Sequence, residues 1–332
     1  MMLALISSMT LFQAPDSLPI PKSYVCYHTP VPIQIDGNLN EAAWAAAPWT
    51  DYFQDIEGPA KPTPRFKTRA KMLWDDQNLY IGAEIEEPQV WATLHEHDSV
   101  IFHDNDFEVF IDPDNDGCFY SELELNAFNT TWDLLLPRSY RGGGPAINGF
   151  ELAGLKTATR VDGAINDPLM GSKGWSTEIA IPWKAFDAIC RTSLPPAERD
   201  QWRINFSRVE WKVDVIDGKY SKRKGLPEDN WVWSPQGVVD MHRPEQWGFL
   251  QFTRQASGPV TVDPSPGFEE RRLLIGVWEA EQAFRRAHGI WADSAHELGI
   301  TTPGVVIVAG VTQFEITYRG FSLDQSLKFS KI

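Results

Sequence analysis

The stretch from Asp104 to Asn126 constrains this chain more than any other. Phe107, Val109 and Ile111 alternate with Asp106, Glu108 and Phe110. After the turn-forming run Asp112-Pro113-Asp114-Asn115-Asp116-Gly117, the alternation resumes with Leu123, Leu125 and Ala127 against Glu122, Glu124 and Asn126. A period of two is that of a half-buried strand, and two such runs around an Asp- and Gly-rich turn predict a β-hairpin. One face is core, and the other is acidic and amide-rich. A turn centred near Asp116 sets Glu108 opposite Glu124 and Asp106 opposite Asn126. Like charges paired across strands are destabilising, so this face needs a cation, a shared proton, a basic neighbour or a polar ligand.

The flanking sequence predicts more of the same architecture. Thr68 to Trp74 and Leu79 to Ile85 bracket Asp75-Asp76-Gln77-Asn78, a second hairpin with a turn-forming tetrad. Further strands are expected at Ile33 to Ile35, Trp132 to Leu136, Gly154 to Val161, Gly174 to Ile181, Gln201 to Trp211, Trp231 to Trp233 and Trp247 to Phe252. Asn40 is placed as the N-cap of a short helical turn carrying Trp44, which with Trp49 is expected in the core. A bulge is expected near Arg208-Val209, and a mobile loop at Gly142-Gly143-Gly144. Many short strands with few helices predict a mainly β fold, an antiparallel β-sandwich. The composition turns to Pro, Gly and Ser between Ser257 and Gly267. A helix N-capped by Ser265 and ending at Gly289 follows, then strands around Arg319-Gly320. The chain thus divides into a leader over residues 1–20, a sandwich over 21–255 and a C-terminal α+β appendage over 256–332.

Bulk properties narrow the partners. A formal charge of −15 across 332 residues argues against nucleic acid and anionic membrane surfaces. No run reaches transmembrane length. The apolar run within Met1 to Ala14 reads as an atypical secretory signal, pointing to a secreted or periplasmic protein. Cys26, Cys118 and Cys190 lack paired spacing and read as buried thiols. His95, His97 and His103 lack the spacing that places two imidazoles on one helical face, so they read as solvated loop residues. Most of the 14 Trp are core.

Three chemistries remain. Asp112, Asp114 and Asp116 offer oxygen ligands at alternating positions before a Gly, as calcium loops do. Glu108 and Glu124 are a carboxylate pair of the kind that grips sugar hydroxyls or cleaves a glycosidic bond. Met72, His95, His97, His103 and Met241 are available, though unpatterned, as haem ligands.

With these residues assembled, the chain from about Tyr24 to Phe252 resembles family 9 carbohydrate-binding modules, of DOMON-like fold. The matching stretches are Ile35 to Trp44, Leu73 to Tyr80, Asp106 to Asp112, Glu178 to Trp183 and Trp247-Gly248-Phe249. The resemblance implies a β-sandwich, often calcium-stabilised, that binds a poly- or oligosaccharide without cleaving it, clamping a chain end between two Trp rings. By position, Glu108 and Asn126 fall on residues that bond sugar hydroxyls. Phe102 and Met241 fall near the two clamp rings, and Glu124 replaces a binding-face Arg. Adding Trp132, Asn205 and Arg208, which supply rings and hydroxyl-binding groups, completes the expected carbohydrate site. A glycoside hydrolase using Glu108 and Glu124, and a haem-binding electron-transfer domain, are the alternatives.

Overall fold

The computed structural model describes residues 18–332, so the apolar run expected to act as a secretory signal lies outside the described residues. The strands are β1 (Ser23–His28), β2 (Gln54–Asp55), β3 (Thr68–Trp74), β4 (Asn78–Glu86), β5 (Asp106–Asp112), β6 (Cys118–Asn126), β7 (Thr131–Arg138), β8 (Lys156–Gly163), β9 (Ser172–Pro182), β10 (Gln201–Glu210), β11 (Val213–Ile216), β12 (Lys219–Lys222), β13 (Asp229–Val232) and β14 (Gly248–Thr253). A short helix α1 (Ala42–Ala46) lies between the first two. Helix α2 (Phe268–His288) and strands β15 (Val306–Ala309), β16 (Phe314–Tyr318), β17 (Phe321–Asp324) and β18 (Phe329–Lys331) complete the chain.

One hydrogen-bonded path, β7-β6-β5-β10-β14-β1-β3-β4-β9-β8, curls into a sandwich. Its inner faces follow from alternation. Phe107, Val109 and Ile111 of β5 and Trp202, Ile204 and Phe206 of β10 share one core with Met72 and Trp74 of β3 and Ile179 and Ile181 of β9. Trp74, Trp183, Trp202 and Phe252 meet edge to face at 5.2–6.0 Å. Each such contact adds about 1 kcal/mol to the area buried.

The sandwich departs from the sequence reading in several places, and Ile33 to Ile35, expected as a strand, do not form one. Strand β1 is parallel to both neighbours, β14 and β3, because it enters between the two halves and joins them. No bulge interrupts β10. Instead its outer edge changes partner, from β14 at Gln201–Ile204 to β13 at Ser207–Glu210. Trp49 is only half-buried, lying beneath Arg69 at 4.0 Å and Lys71 at 4.2 Å. The N-cap of α1 is Glu41, not Asn40.

The Gly142 region is a packed turn, not a free loop. A Cβ on Gly142 would collide with the Ser326 carbonyl, and one on Gly144 with that of Arg138. Helix α2 begins after Gly267, which stands as its N-cap in place of Ser265 and has a left-handed backbone with φ of 75°. Leu274, Val277 and Trp278 of α2 pack on Ile316 and Leu323, forming a second core. The strands expected around Arg319-Gly320 are present, β16 and β17 joining through these two residues at φ of 48° and 81°.

Candidate carbohydrate-binding recess

The β5–β6 register sets Glu108 opposite Glu124 and Asp106 opposite Asn126, as the alternation predicts. Strand pairing extends the first of these into a row across four strands: Ser207 of β10, Glu108 of β5, Glu124 of β6 and Trp132 of β7. The adjacent row is Asn205, Phe110, Glu122 and Leu134. Because Phe107 and Val109 take the inner face, both rows lie on the outer face of this half-sandwich.

Loops wall this face into a recess of about 350 Å³. Glu108, Glu122, Glu124 and Phe110 form its floor, and Phe102, Trp132, Tyr140, Met241 and His242 its walls. The Phe102 and Trp132 rings lie 6.4 Å apart at 31°. Across the recess Tyr140 meets His242 edge-on at 4.4 Å. The Phe102 N–H donates to Glu124 Oε2 at 2.9 Å, tying the rim to the floor. The Trp132 indole N–H has no acceptor.

The electrostatics are those of acids deprived of water. Carboxylate oxygens of Asp106, Glu108 and Glu124 lie within 4.8 Å of one another. Among the described residues, no Lys or Arg makes an ion pair with Glu108, Glu122 or Glu124. Burial pushes Glu108 up to about 7. Burial, then repulsion from neighbouring carboxylates, pushes Glu122, Glu124 and Asp106 well above the ordinary carboxylate range. Burial also lowers His242 to about 4, so the imidazole is neutral at pH 7. Burial and mutual repulsion thus favour the neutral form of the floor carboxyls over a block of negative charge.

Of the residues expected to hold sugar, Phe102, Glu108, Glu124, Trp132 and Met241 come together here. Three do not. Asn126 is covered by the loop preceding β5. Its Nδ2 donates to Leu94 O and Asp104 Oδ2, and its Oδ1 accepts from Phe128 N and Thr130 N. Asn205 is sealed beneath Ser234, exchanging hydrogen bonds with that residue's backbone. Arg208 shares the inward parity of Trp202, Ile204 and Phe206. It is buried against Glu210 at 2.7 Å and Glu87 at 3.7 Å. Glu122, Tyr140 and His242 were missed. Glu122 was visible as the same-face neighbour of Glu124, but the two loop residues carried no periodic signal.

The alternatives to this recess fare differently. The candidate haem ligands do not converge: Met72 lies in the main core and Met241 in a cluster on the other face. His95 instead packs on Phe128 at 4.2 Å. A larger hollow of about 750 Å³ lies along β3, β4, β8 and β9. Four of its charges pair with each other, Arg69 with Glu84 at 2.7 Å and Lys173 with Asp162 at 3.1 Å.

At the far end of β5, Asp112, Asp114 and Asp116 also bring carboxylate oxygens within 4.8 Å. Asp112 Oδ2 accepts from Gly117 N at 2.9 Å, while Asp112 Oδ1 and Asp114 Oδ1 have no partner. Burial, then mutual repulsion, raises Asp112 to about 7 and Asp114 to about 6. Two orphaned oxygens in an all-oxygen donor set fit a hard cation such as calcium. The C-terminal region docks on this turn. Arg271 of α2 donates to Asn115 O at 3.0 Å and Asn115 Oδ1 at 2.8 Å, and Phe329 N donates to Asp116 O at 2.8 Å.

Comparison with known proteins agrees with this architecture. Residues 35–194 match the family described as Carbohydrate family 9 binding domain-like. Over this stretch the chain is similar to family 9 carbohydrate-binding domains, and its β5–β6 hairpin lies inside the matched residues. A segment of 125 residues, 38% of this chain, is 30% identical to Exoglucanase XynX of Acetivibrio thermocellus, of which the match spans 10%. Among solved structures, a candidate carbohydrate-binding protein from Bacteroides uniformis ATCC 8492 superposes with a TM-score of 0.52 at 17% identity, covering 70% of this chain and 99% of that one. A family 9 carbohydrate binding module from Caldicellulosiruptor kristjanssonii, in complex with cellotriose, aligns with a TM-score of 0.46 at 16% identity over 73% and 100% of the two chains.

Proposed function

We propose that this protein binds a poly- or oligosaccharide in the recess floored by Glu108, Glu122 and Glu124, without cleaving it. The observation that carries this reading is the meeting of Phe102 and Trp132 with buried carboxyls in one hollow open to solvent. Sugars offer apolar C–H faces to rings and hydroxyls to polar groups of both donor and acceptor character. A carboxyl that retains its proton supplies both. The family match over residues 35–194 supports the same ligand class.

Holding suits this geometry better than hydrolysis. An acid and base that cleave a glycosidic bond flank it from two sides. Glu108 and Glu124 are cross-strand partners on one floor. Asp112, Asp114 and Asp116 would hold a calcium ion that neutralises the hairpin turn and tightens the seat of the C-terminal region. A polysaccharide partner is in keeping with a secreted or periplasmic location, which fractionation of the producing cell tests.

Affinity electrophoresis through gels containing soluble glucans, xylans and mannans tests the binding reading. Retardation in at least one gel, lost in Glu108→Ala with unchanged circular dichroism, is the expected result. Equal mobility of wild type and variant in every gel would remove the recess from consideration.

A further inference from the structure

A second cluster, outside the recess, carries a donor set that the sugar site does not use. His97, Asp98, Asp133 and Glu151 come from the loop before β5, from β7 and from the loop after it, and their ligand atoms lie within 4.8 Å of one another. His97 Nδ1 lies 3.0 Å from the Thr131 carbonyl oxygen, which can only accept, so Nδ1 carries the hydrogen. Nε2 is thereby turned toward three carboxylates: Glu151 Oε1 at 3.2 Å, Asp98 Oδ1 at 3.4 Å and Asp133 Oδ1 at 3.9 Å.

Asp133 is the informative member. Its side chain is 1% exposed, and its Oδ2 accepts from Leu152 N at 2.5 Å. Its Oδ1 has no hydrogen-bond partner and faces the imidazole. A buried carboxylate oxygen without a donor is costly, and among the described residues no Lys or Arg pairs with Asp98, Asp133 or Glu151. Four ligands about 2.05 Å from a tetrahedral ion stand about 3.4 Å apart, close to the spacings seen around Nε2. The bond from Nδ1 to a backbone carbonyl is the outer contact that orients a metal-bound imidazole. His97 and Glu151 are exposed, which leaves an entry path.

We propose that His97, Asp98, Asp133 and Glu151 form a site for a divalent transition-metal ion of the zinc class. One imidazole among three carboxylates selects such an ion over calcium, which prefers oxygen alone. The ion joins the loop that carries Phe102 to the edge strand that carries Trp132, and so fixes the spacing of the recess rings. The site stands independently of the sugar reading, since neither ligand set includes a residue of the other.

The test is calorimetric titration of the full chain, stripped with EDTA and desalted, with zinc chloride and separately with calcium chloride. One zinc per chain is expected, with affinity falling at least tenfold in His97→Ala and in the exposed variant Glu151→Gln. Asp114→Asn leaves the zinc isotherm unchanged. Cobalt(II) gives an absorption band that His97→Ala removes. No zinc uptake by the wild-type chain, or equal uptake by both ligand variants, overturns the proposal. Because Glu151 is at the surface, its variant remains informative if His97→Ala fails to fold.

Discussion

The two ends of β5 hold acidic clusters of similar size in opposite surroundings. Glu108 meets other carboxyls and a ring-walled hollow, with no basic side chain paired to it among the described residues. The turn beyond Asp112 is ringed by cations: Arg191 reaches Asp116 at 3.7 Å, Lys328 at 4.0 Å, and Arg203 and Arg271 hold Asn115. Burial raises the acids at both ends, so burial alone does not distinguish them. The neighbours do. A cluster facing solvent and rings offers a surface to a ligand, whereas one met by Arg271 and Lys328 of the C-terminal region is a joint.

The largest expected break in this contrast is at the joint. Arg271→Ala removes a buried charged donor to Asn115 and should cost about 3 kcal/mol in denaturant unfolding while leaving glycan affinity unchanged. Equal loss of both would merge the two clusters into one functional unit.

Calcium comes next. At about 100 times its Kd, a bound ion adds about 2.7 kcal/mol, several degrees of melting temperature, and Asp114→Asn should abolish the gain. pH sharpens this. Folded pKa values near 7 for Glu108 and Asp112 and near 6 for Asp114 lie above the ordinary carboxylate range. The stability they confer is therefore complete below about pH 4 and lost as pH rises through the folded values. Without added metal, the melting temperature should fall from pH 4 to pH 8, and calcium should restore most at the upper end. A metal-free melting curve flat with pH contradicts the raised values.

At the recess, Glu108→Ala should weaken glycan binding by about 2 kcal/mol, roughly thirtyfold, by isothermal titration. Glu108→Gln should stay within about threefold, because a neutral carboxyl and an amide both donate and accept. A Gln variant as weak as Ala would mean that the charged form is the one bound. The smallest effect is expected from Glu279→Ala on α2. It removes contacts of 3.6 Å to Arg243 and 4.0 Å to Arg141, which flank the recess residues His242 and Tyr140. Long contacts with an exposed carboxylate are worth under about 1 kcal/mol, so affinity should drop less than about fivefold.

The hairpin was legible because period-two alternation and an Asp-Gly turn together fix register as well as strand type. The Glu108–Glu124 pairing followed from counting alone. Arg208 was placed with the sugar-binding residues because a bulge was expected at Arg208-Val209, whereas β10 keeps its alternation and Arg208 shares the inward parity of Trp202, Ile204 and Phe206. Asn126 was misread for a different reason. Its face was right, but the loop from Leu94 to Asp104 folds over that row, and no local pattern announces which part of a sheet a loop will cover. Tyr140, Met241 and His242 reach the recess through irregular segments whose path is set by tertiary packing. The His97 cluster likewise joins residues up to 54 positions apart.

The contact of α2 with Arg141 and Arg243 bears on how the protein is best handled. A fragment trimmed after the last sandwich strand would keep every acidic floor residue yet shed Glu279 and the Ser326 backbone that backs Gly142. A transplanted sandwich should therefore keep its tail, whose Glu279 and Ser326 brace the neighbours of Tyr140 and His242 through several weak contacts.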